Sequence, residues 1–173
     1  SELRSRRAAA LAAARAERAA EVGFHGYVQF LFFRQWGRVR AEAARRGIAV
    51  LGDVPIYVAL DSADVWAHQD LFLLDEAGQP TAVAGVPPDY FSATGQLWGN
   101  PLYRWERLEQ DGFAWWVERL RAALRLADLV RVDHFRGLAG YWAVPAGERT
   151  AVNGSWEPGP GARLFAALRQ ALG

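Results

Sequence analysis

The sequence predicts an α/β protein built on a parallel β-sheet. Two apolar strands, at 48–55 and 129–133, each follow a helical segment closely and carry a carboxylate near the carboxyl end, Asp53 and Asp133 respectively. A cluster of polar side chains also follows the second strand, which is typical of the active sites of parallel α/β barrels. With 173 residues, the chain is shorter than the roughly 250 residues of a complete barrel of that kind.

Two helices are predicted before the first strand. Residues 1–22 form a polar, alanine-rich segment that Gly23 and Gly26 interrupt. The second helix is predicted from Tyr27 to Arg46, with apolar side chains around most of its circumference. Such a helix is expected to be covered by neighbours on several sides. Gly47 is placed to end it.

The first strand is predicted to begin at Ile48 and to end near Pro55, because proline cannot donate a hydrogen bond to a strand ladder. Asp53 lies close to this end. A helix, a glycine and an apolar strand in this order form one αβ step of a parallel sheet.

The connection between the two strands is longer than the βαβ step of about 30 residues requires. We therefore expect an insertion at about residues 60–110. Its first part, Leu71–Leu74 and Thr81–Val83 around a turn, is predicted as a hairpin. Residues 85–103 are rich in Gly, Pro and aromatic side chains and are predicted as a functional loop. The alternative is an irregular loop whose aromatic side chains fill the core.

The elements after the insertion have clearer patterns. Asp111 and Gly112 open a helix, in which Trp115 or Trp116 is assigned to the core. It leads into the strand Leu129–Asp133. A short strand, a tight turn and a final helix are then predicted at Tyr141–Pro145, Asn153–Gly154 and Ala162–Leu172.

Arg131 and Asp133 are two positions apart in the second strand, so their side chains point to the same face. Buried charges need partners, so the two form either a structural ion pair or part of a functional site. His134, Phe135 and Arg136 follow at once, which favours a functional site.

Composition excludes several classes of protein. The net charge of +1 gives no electrostatic reason to expect nucleic-acid binding. No apolar run reaches the ~20 residues of a membrane span. Cysteine is absent, which excludes disulfides and thiolate metal sites and fits a cytoplasmic location. Many of the 8 Trp, 5 Tyr and 9 Phe lie in Gly/Pro-rich stretches, where exposed aromatic faces suit sugar rings.

Three segments, residues 52–58, 85–103 and 131–137, resemble the amylomaltases, which are the 4-α-glucanotransferases or disproportionating enzymes of the α-amylase superfamily. The resemblance begins at about Tyr27. It implies that residues 1–173 are one partial catalytic domain of a (β/α)₈ barrel: about two strand–helix units with a long inserted hairpin and lid loop. It further implies a malto-oligosaccharide or α-1,4-glucan substrate, the remainder of the same barrel as a partner, and no cofactor or metal ion.

The resemblance also implies residue roles in a retaining glycosyl transfer. Asp133 matches the nucleophile, and Arg131 would keep Asp133 ionised and oriented, so these two are the predicted catalytic residues. The predicted substrate-binding residues are Asp53, Tyr57, Asp89, Tyr90, Phe91, Trp98, Asn100 and His134. Asp53 is expected to line the inner site and to support the reaction without itself forming a covalent bond in it.

One feature departs from the family pattern. The family's acid/base glutamate lies on the next barrel strand, but Glu148 and Glu157, the carboxylates after His134, lie in stretches predicted as loops. We therefore expect the acid/base to lie beyond Gly173 and the 173-residue chain alone to be inactive. Two alternatives stay open: a glycoside hydrolase of the same superfamily and a non-catalytic glucan-binding module.

Overall fold

The structure, a computed structural model, describes residues 1–173. It has an α/β architecture in which the strands form two sheets. The helices are α1 (Ala8–Glu17), α2 (Ala19–Arg45), α3 (Ala63–Ala67), α4 (Trp105–Gln110), α5 (Ala114–Leu126) and α6 (Ala162–Leu172). The strands are β1 (Leu51–Pro55), β2 (Ala82–Val86), β3 (Gln96–Pro101), β4 (Leu129–Asp133), β5 (Gly140–Pro145) and β6 (Ser155–Pro158). Short 3₁₀ turns follow α3 and β4, at Gln69–Leu71 and Phe135–Leu138.

Strands β1 and β4 form a parallel pair. In their register Asp53 lies opposite Arg131, and Pro55 lies opposite Asp133. Helix α5 packs against both strands, so β1, α5 and β4 form a crossover of the βαβ type. The carboxyl ends of the two strands therefore lie at one edge, as the sequence predicts.

The other four strands form an antiparallel sheet in the order β3-β2-β5-β6. Strand β3 and the last two residues of β2 lie inside the stretch predicted as a loop, so that prediction is wrong for Gln96–Pro101 and for Gly85 and Val86. Gly99, Asn100 and Pro101 have low strand propensity, and this strand forms because β2 pairs with it. The predicted hairpin around residues 75–80 is present in irregular form. The Asp75 N–H donates to the Gln79 carbonyl at 2.8 Å and the Thr81 N–H to the Leu73 carbonyl at 3.0 Å, with one isolated bridge between Leu74 and Pro80 and no regular strand ladder.

The N-terminal helices differ from the prediction in where they break. The break falls at Arg18, and Gly23 and Gly26 lie inside α2 instead of ending a helix. A glycine inside a helix costs only about 0.5–1 kcal/mol relative to alanine. The helix-favouring neighbours offset that cost over the 27 residues of α2.

The prediction that the aromatic helix is covered on several sides is wrong for the described residues. Helix α2 is attached mainly by Trp36, whose indole Nε1 donates to the Leu126 carbonyl at 2.8 Å, and by Arg40, whose Nη1 donates to the Arg125 carbonyl at 2.8 Å. Its exposed aromatic side chains are Phe24, Tyr27, Phe30, Phe32 and Phe33. None of the helices is both long enough and apolar enough to cross a membrane.

The hydrophobic core lies between α5, α6, the antiparallel sheet and the chain that follows β1. Trp116 is fully buried in it, which confirms the core assignment, whereas Trp115 is half-buried. Ile56 and Tyr57, directly after β1, are also core residues. The residues directly after the carboxyl end of β1 are therefore packed in the hydrophobic core.

Candidate active site

Asp53, Arg131 and Asp133 meet at the carboxyl edge of the parallel pair. Arg131 donates from Nε to Asp53 Oδ1 at 3.0 Å and from Nη2 to Asp53 Oδ2 at 2.6 Å. The same Nη2 reaches Asp133 Oδ1 at 3.3 Å. The predicted convergence of these three side chains is confirmed, and Arg131 makes its shorter contacts with Asp53.

The hydrogen bonds between Arg131 and Asp53 shift the pKa values of both residues. Hydrogen bonds from Arg131 hold the pKa of Asp53 below its ordinary value, and Asp53 raises the pKa of Arg131 in return. All three side chains are more than half exposed, so water screens the pairs. These ion pairs therefore contribute little to the free energy of unfolding.

Asp133 opens into a cavity of about 180 Å³. Its other lining residues are Pro55, Ile56, Tyr57, Trp98, Asn100 and His134. These residues come from the end of β1 and the chain after it, from β3 and from the turn after β4. A cavity of about 610 Å³ lies between α1 and Trp66, but no carboxylate lines it. Three further cavities, of about 340, 360 and 320 Å³, are lined by carboxylates, so neither size nor a carboxylate alone identifies the site. The smaller cavity differs from them in its position at the carboxyl edge of the parallel pair.

His134 follows Asp133 with φ 50° and ψ 43°, in the left-handed region. This conformation costs a non-glycine residue about 1–2 kcal/mol. It turns the imidazole edge-on to the Trp98 indole, with ring centroids 4.8 Å apart and planes at 84°. Burial lowers the pKa of His134, while the nearby Asp133 carboxylate opposes part of that effect. The imidazole is therefore biased towards its neutral form, which can donate and accept hydrogen bonds.

Asn100 lines the cavity, but its amide has a structural partner. Nδ2 donates to the Val58 carbonyl at 3.1 Å. This bond ties β3 to the chain after β1. The Asn100 side-chain oxygen is left as the acceptor that the residue can offer to a ligand.

The predicted loop residues Asp89, Tyr90 and Phe91 are not brought into the Asp133 cavity. Asp89 Oδ1 accepts hydrogen bonds from the backbone N–H groups of Phe91 and Ser92, both at 2.9 Å, and so shapes the loop itself. Tyr90 and Phe91 are fully exposed. The alternative that the loop aromatics fill the core is therefore wrong for these two, although Tyr103 at the end of the stretch is buried.

The two later carboxylates lie elsewhere. Glu148 accepts a hydrogen bond from Asn153 Nδ2 at 3.1 Å, and Glu157 accepts one from Ser155 Oγ at 2.9 Å. Glu157 belongs to β6, so the prediction of a loop there is wrong. Neither residue lines the Asp133 cavity. No group of three or more His, Asp or Glu side chains is arranged to hold a metal ion.

Sequence reasoning missed two groups that support the site, Ile56 and Arg119. Ile56 forms part of the cavity wall, and Arg119 donates from Nη1 to the Ile56 carbonyl at 3.1 Å. A signal was present in the sequence, because Arg119 lies four residues after Trp115 and three after Trp116, on the apolar face of a predicted helix.

Comparisons with a family model and with known sequences all match proteins of one family. A family model described as 4-alpha-glucanotransferase matches residues 1–173. A 4-alpha-glucanotransferase of Thermus thermophilus is 57% identical over 171 residues, which are 99% of this chain and 34% of that protein. One from Synechocystis sp. is 60% identical over 154 residues, which are 88% of this chain and 30% of that protein.

Solved structures give the same picture. A structure described as amylomaltase from Streptococcus agalactiae in complex with acarbose superposes with a TM-score of 0.96 at 41% identity. The match covers 99% of this chain and 35% of that one. The chain thus spans about a third of the length of the relatives it matches.

Proposed function

Since the chain belongs to the 4-alpha-glucanotransferase family, whose model matches residues 1–173, we propose that it is a segment of an enzyme that transfers α-1,4-glucan units between malto-oligosaccharides. The observation that carries the proposal is the position of Asp133. Its carboxylate opens into a cavity with Tyr57, Trp98 and His134, at the carboxyl edge of two parallel strands. The exposed Trp98 indole beside a carboxylate suits a sugar ring, and buried Tyr57 supports that indole from the core.

In the proposed reaction, Asp133 attacks the anomeric carbon of the donor and displaces the oxygen of the glycosidic bond. A carboxylic acid protonates that oxygen as it leaves, and a glycosyl ester on Asp133 results. The hydroxyl of an acceptor sugar then attacks the same carbon, gives its proton to the conjugate carboxylate and releases Asp133. Two displacements at one carbon retain its configuration.

Each remaining predicted residue has a proposed role. Arg131 orients Asp133, and Asp53 holds the guanidinium in place through its Nε and Nη2 atoms. His134 and Asn100 contribute polar groups at the cavity wall. Tyr90 and Phe91 supply aromatic faces in a lid over the bound glucan, with Asp89 shaping their loop, and their full exposure supports this role.

The acid/base is proposed to come from a segment outside these residues. No second carboxylate lines the cavity with Asp133, whereas retaining enzymes hold two about 5 Å apart. We further propose that β1, α5 and β4 are part of a (β/α)₈ barrel, with residues of about 60–110 inserted into it. The parallel β1–β4 pair supports this assignment. A cytoplasmic location stays a prediction.

The test uses the full-length protein with maltotriose. We expect free glucose together with oligosaccharides longer than maltotriose, resolved by chromatography. Asp133→Asn, which removes the negative charge with little change of shape, is expected to abolish both products. Glucose and maltose without longer products would identify a hydrolase, and binding without turnover would identify a glucan-binding module.

A further inference from the structure

The end of β1 and the two residues after it form one wall of the Asp133 cavity, through Pro55, Ile56 and Tyr57. The ladder with β4 ends at the pairing of Pro55 with Asp133. Beyond that point the Ile56 carbonyl accepts no backbone N–H. Because this carbonyl belongs to a buried residue, its hydrogen bonds have to come from side chains.

Two side chains supply these hydrogen bonds. Arg119 of α5 donates from Nη2 to the Pro55 carbonyl at 2.6 Å and from Nη1 to the Ile56 carbonyl at 3.1 Å. The hydroxyl of Tyr103 donates to the Ile56 carbonyl at 2.7 Å. The phenolic oxygen in turn accepts a hydrogen bond from Arg119 Nη1 at 3.2 Å. We call this arrangement of Arg119 and Tyr103 the β1 clamp.

The β1 clamp is itself held in place. The Arg119 guanidinium lies over the rings of Trp115 and Trp116, 5.2 and 5.0 Å from their centroids. Burial raises the pKa of Tyr103 well above its ordinary value, so its hydroxyl keeps its proton. The Tyr103 hydroxyl therefore remains a donor throughout the neutral pH range.

The Pro55–Tyr57 wall also packs closely against the turn after β4. A Cβ atom at Gly137, in the turn after β4, would lie 2.8 Å from Ile56 Cδ1 and 3.0 Å from His134 Cδ2. Tyr57, which follows Ile56 in the chain, stacks on Tyr103 with ring centroids 5.9 Å apart. The β1 clamp and Gly137 thus fix Ile56 and Tyr57 relative to the turn that carries His134.

We propose that Arg119, with Tyr103, is a positioning residue for the reaction at Asp133. By holding the Pro55–Tyr57 wall, it sets the width of the cavity beside the nucleophile. It does not line the cavity and acts through the main chain. The kinetic consequence rests on the proposed function, whereas the effect on the wall does not.

Arg119→Met in the full-length protein tests this. A displacement of about 1 Å near reacting groups can reduce the rate about 100-fold. We expect kcat to fall by about 10- to 100-fold with a KM within about threefold of the wild-type value, since orientation and not affinity is lost. Arg119→Lys should recover part of kcat, because an ammonium group can serve one carbonyl. Arg125→Met is the matched control, since Arg125 is exposed on the same helix and its side chain has no hydrogen-bond partner.

Hydrogen exchange of the amides at 56–58 supplies a readout that does not depend on activity. Arg119→Met should speed this exchange, and Arg125→Met should not. Unchanged exchange would overturn the β1 clamp, and faster exchange with an unchanged kcat would overturn the positioning role. If the wild-type protein transfers no glucan, the proposed function fails while the exchange result still decides the clamp. If Arg119→Met does not fold, Tyr103→Phe takes its place as the test. We expect Tyr103→Phe to lower kcat at temperatures well below the melting temperature of the Tyr103→Phe protein.

Discussion

At the scale of single residues, Arg131 is the group that two carboxylates share. Its planar guanidinium makes two bonds to Asp53 and a third to Asp133. A lysine carries one compact charge and cannot keep this geometry. We therefore expect Arg131→Lys to lower the transfer rate of the full-length protein by about 10- to 100-fold. Its melting temperature should change little, because exposed ion pairs contribute little to the free energy of unfolding.

Arg121→Lys is the matched control for this change. Arg121 also pairs with a carboxylate, that of Glu118, on the exposed side of α5. Steady-state rates on maltotriose should separate the two variants. Equal rates for Arg131→Lys and the wild-type protein would contradict the orienting role of Arg131.

His134 provides a test by pH. Burial lowers its pKa below the ordinary value of about 6.5, so folding favours the neutral imidazole. The corresponding stabilisation is complete above the unfolded-state pKa and is lost as the pH falls through the lower folded-state pKa. NMR titration of the imidazole in the full-length protein should therefore give a midpoint below 6.5. In Trp98→Ala, which uncovers the ring, the midpoint should rise, and a wild-type midpoint at or above 6.5 would contradict the burial argument.

At the scale of elements, the loop between β2 and β3 is expected to act on substrate and not on stability. Tyr90 and Phe91 have no packing to lose. Tyr90→Ala or Phe91→Ala in the full-length protein should therefore leave the melting temperature unchanged. Each should weaken long malto-oligosaccharides by about 1 kcal/mol, a factor of roughly five in KM, and affect maltose less. Tyr90→Phe keeps the ring and is the matched control.

Trp98→Ala should behave differently from the loop variants. The Trp98 indole contacts both Tyr57 and His134, so its loss should lower stability and activity together.

A lower melting temperature for Tyr90→Ala, with unchanged activity, would instead mean that the loop has a structural role.

The elements also show how far sequence reasoning reaches. Strand β4 and helix α6 were predictable because each carries its own local pattern, and both observed ranges agree with the prediction. Placing Asp53 beside Arg131 needed only the rule that parallel strands end at the same edge. Strand β3 was not predictable, because its pairing with β2 and not its composition makes it a strand.

The β1 clamp lies beyond such rules for a similar reason. Nothing local to Arg119 indicates that its guanidinium meets carbonyls 63 and 64 residues earlier in the chain. Its position on the apolar face of α5 marks it as unusual, but its partners come from the three-dimensional packing alone.

At the scale of the whole molecule, much apolar surface is uncovered within residues 1–173. The parallel pair has two strands, so both of its outer edges are free. Leu51 and Leu129, opposite each other in that pair, are exposed. The five aromatic side chains of α2 between Phe24 and Phe33 are exposed as well. Free strand edges and large apolar patches favour association with other chains.

The 173-residue chain produced by itself is therefore expected to associate and to transfer no glucan. Asp133 can attack only if the leaving oxygen is protonated, and no second carboxylate lines its cavity. General acid assistance contributes about 10² to 10⁴ in rate, and loss of surrounding structure would also reduce orientation. Light scattering should report species larger than the 19.2 kDa monomer. Incubation with maltotriose beside an Asp133→Asn control decides the catalytic part: transfer products that vanish in the control would mean that an acid catalyst lies within these residues after all.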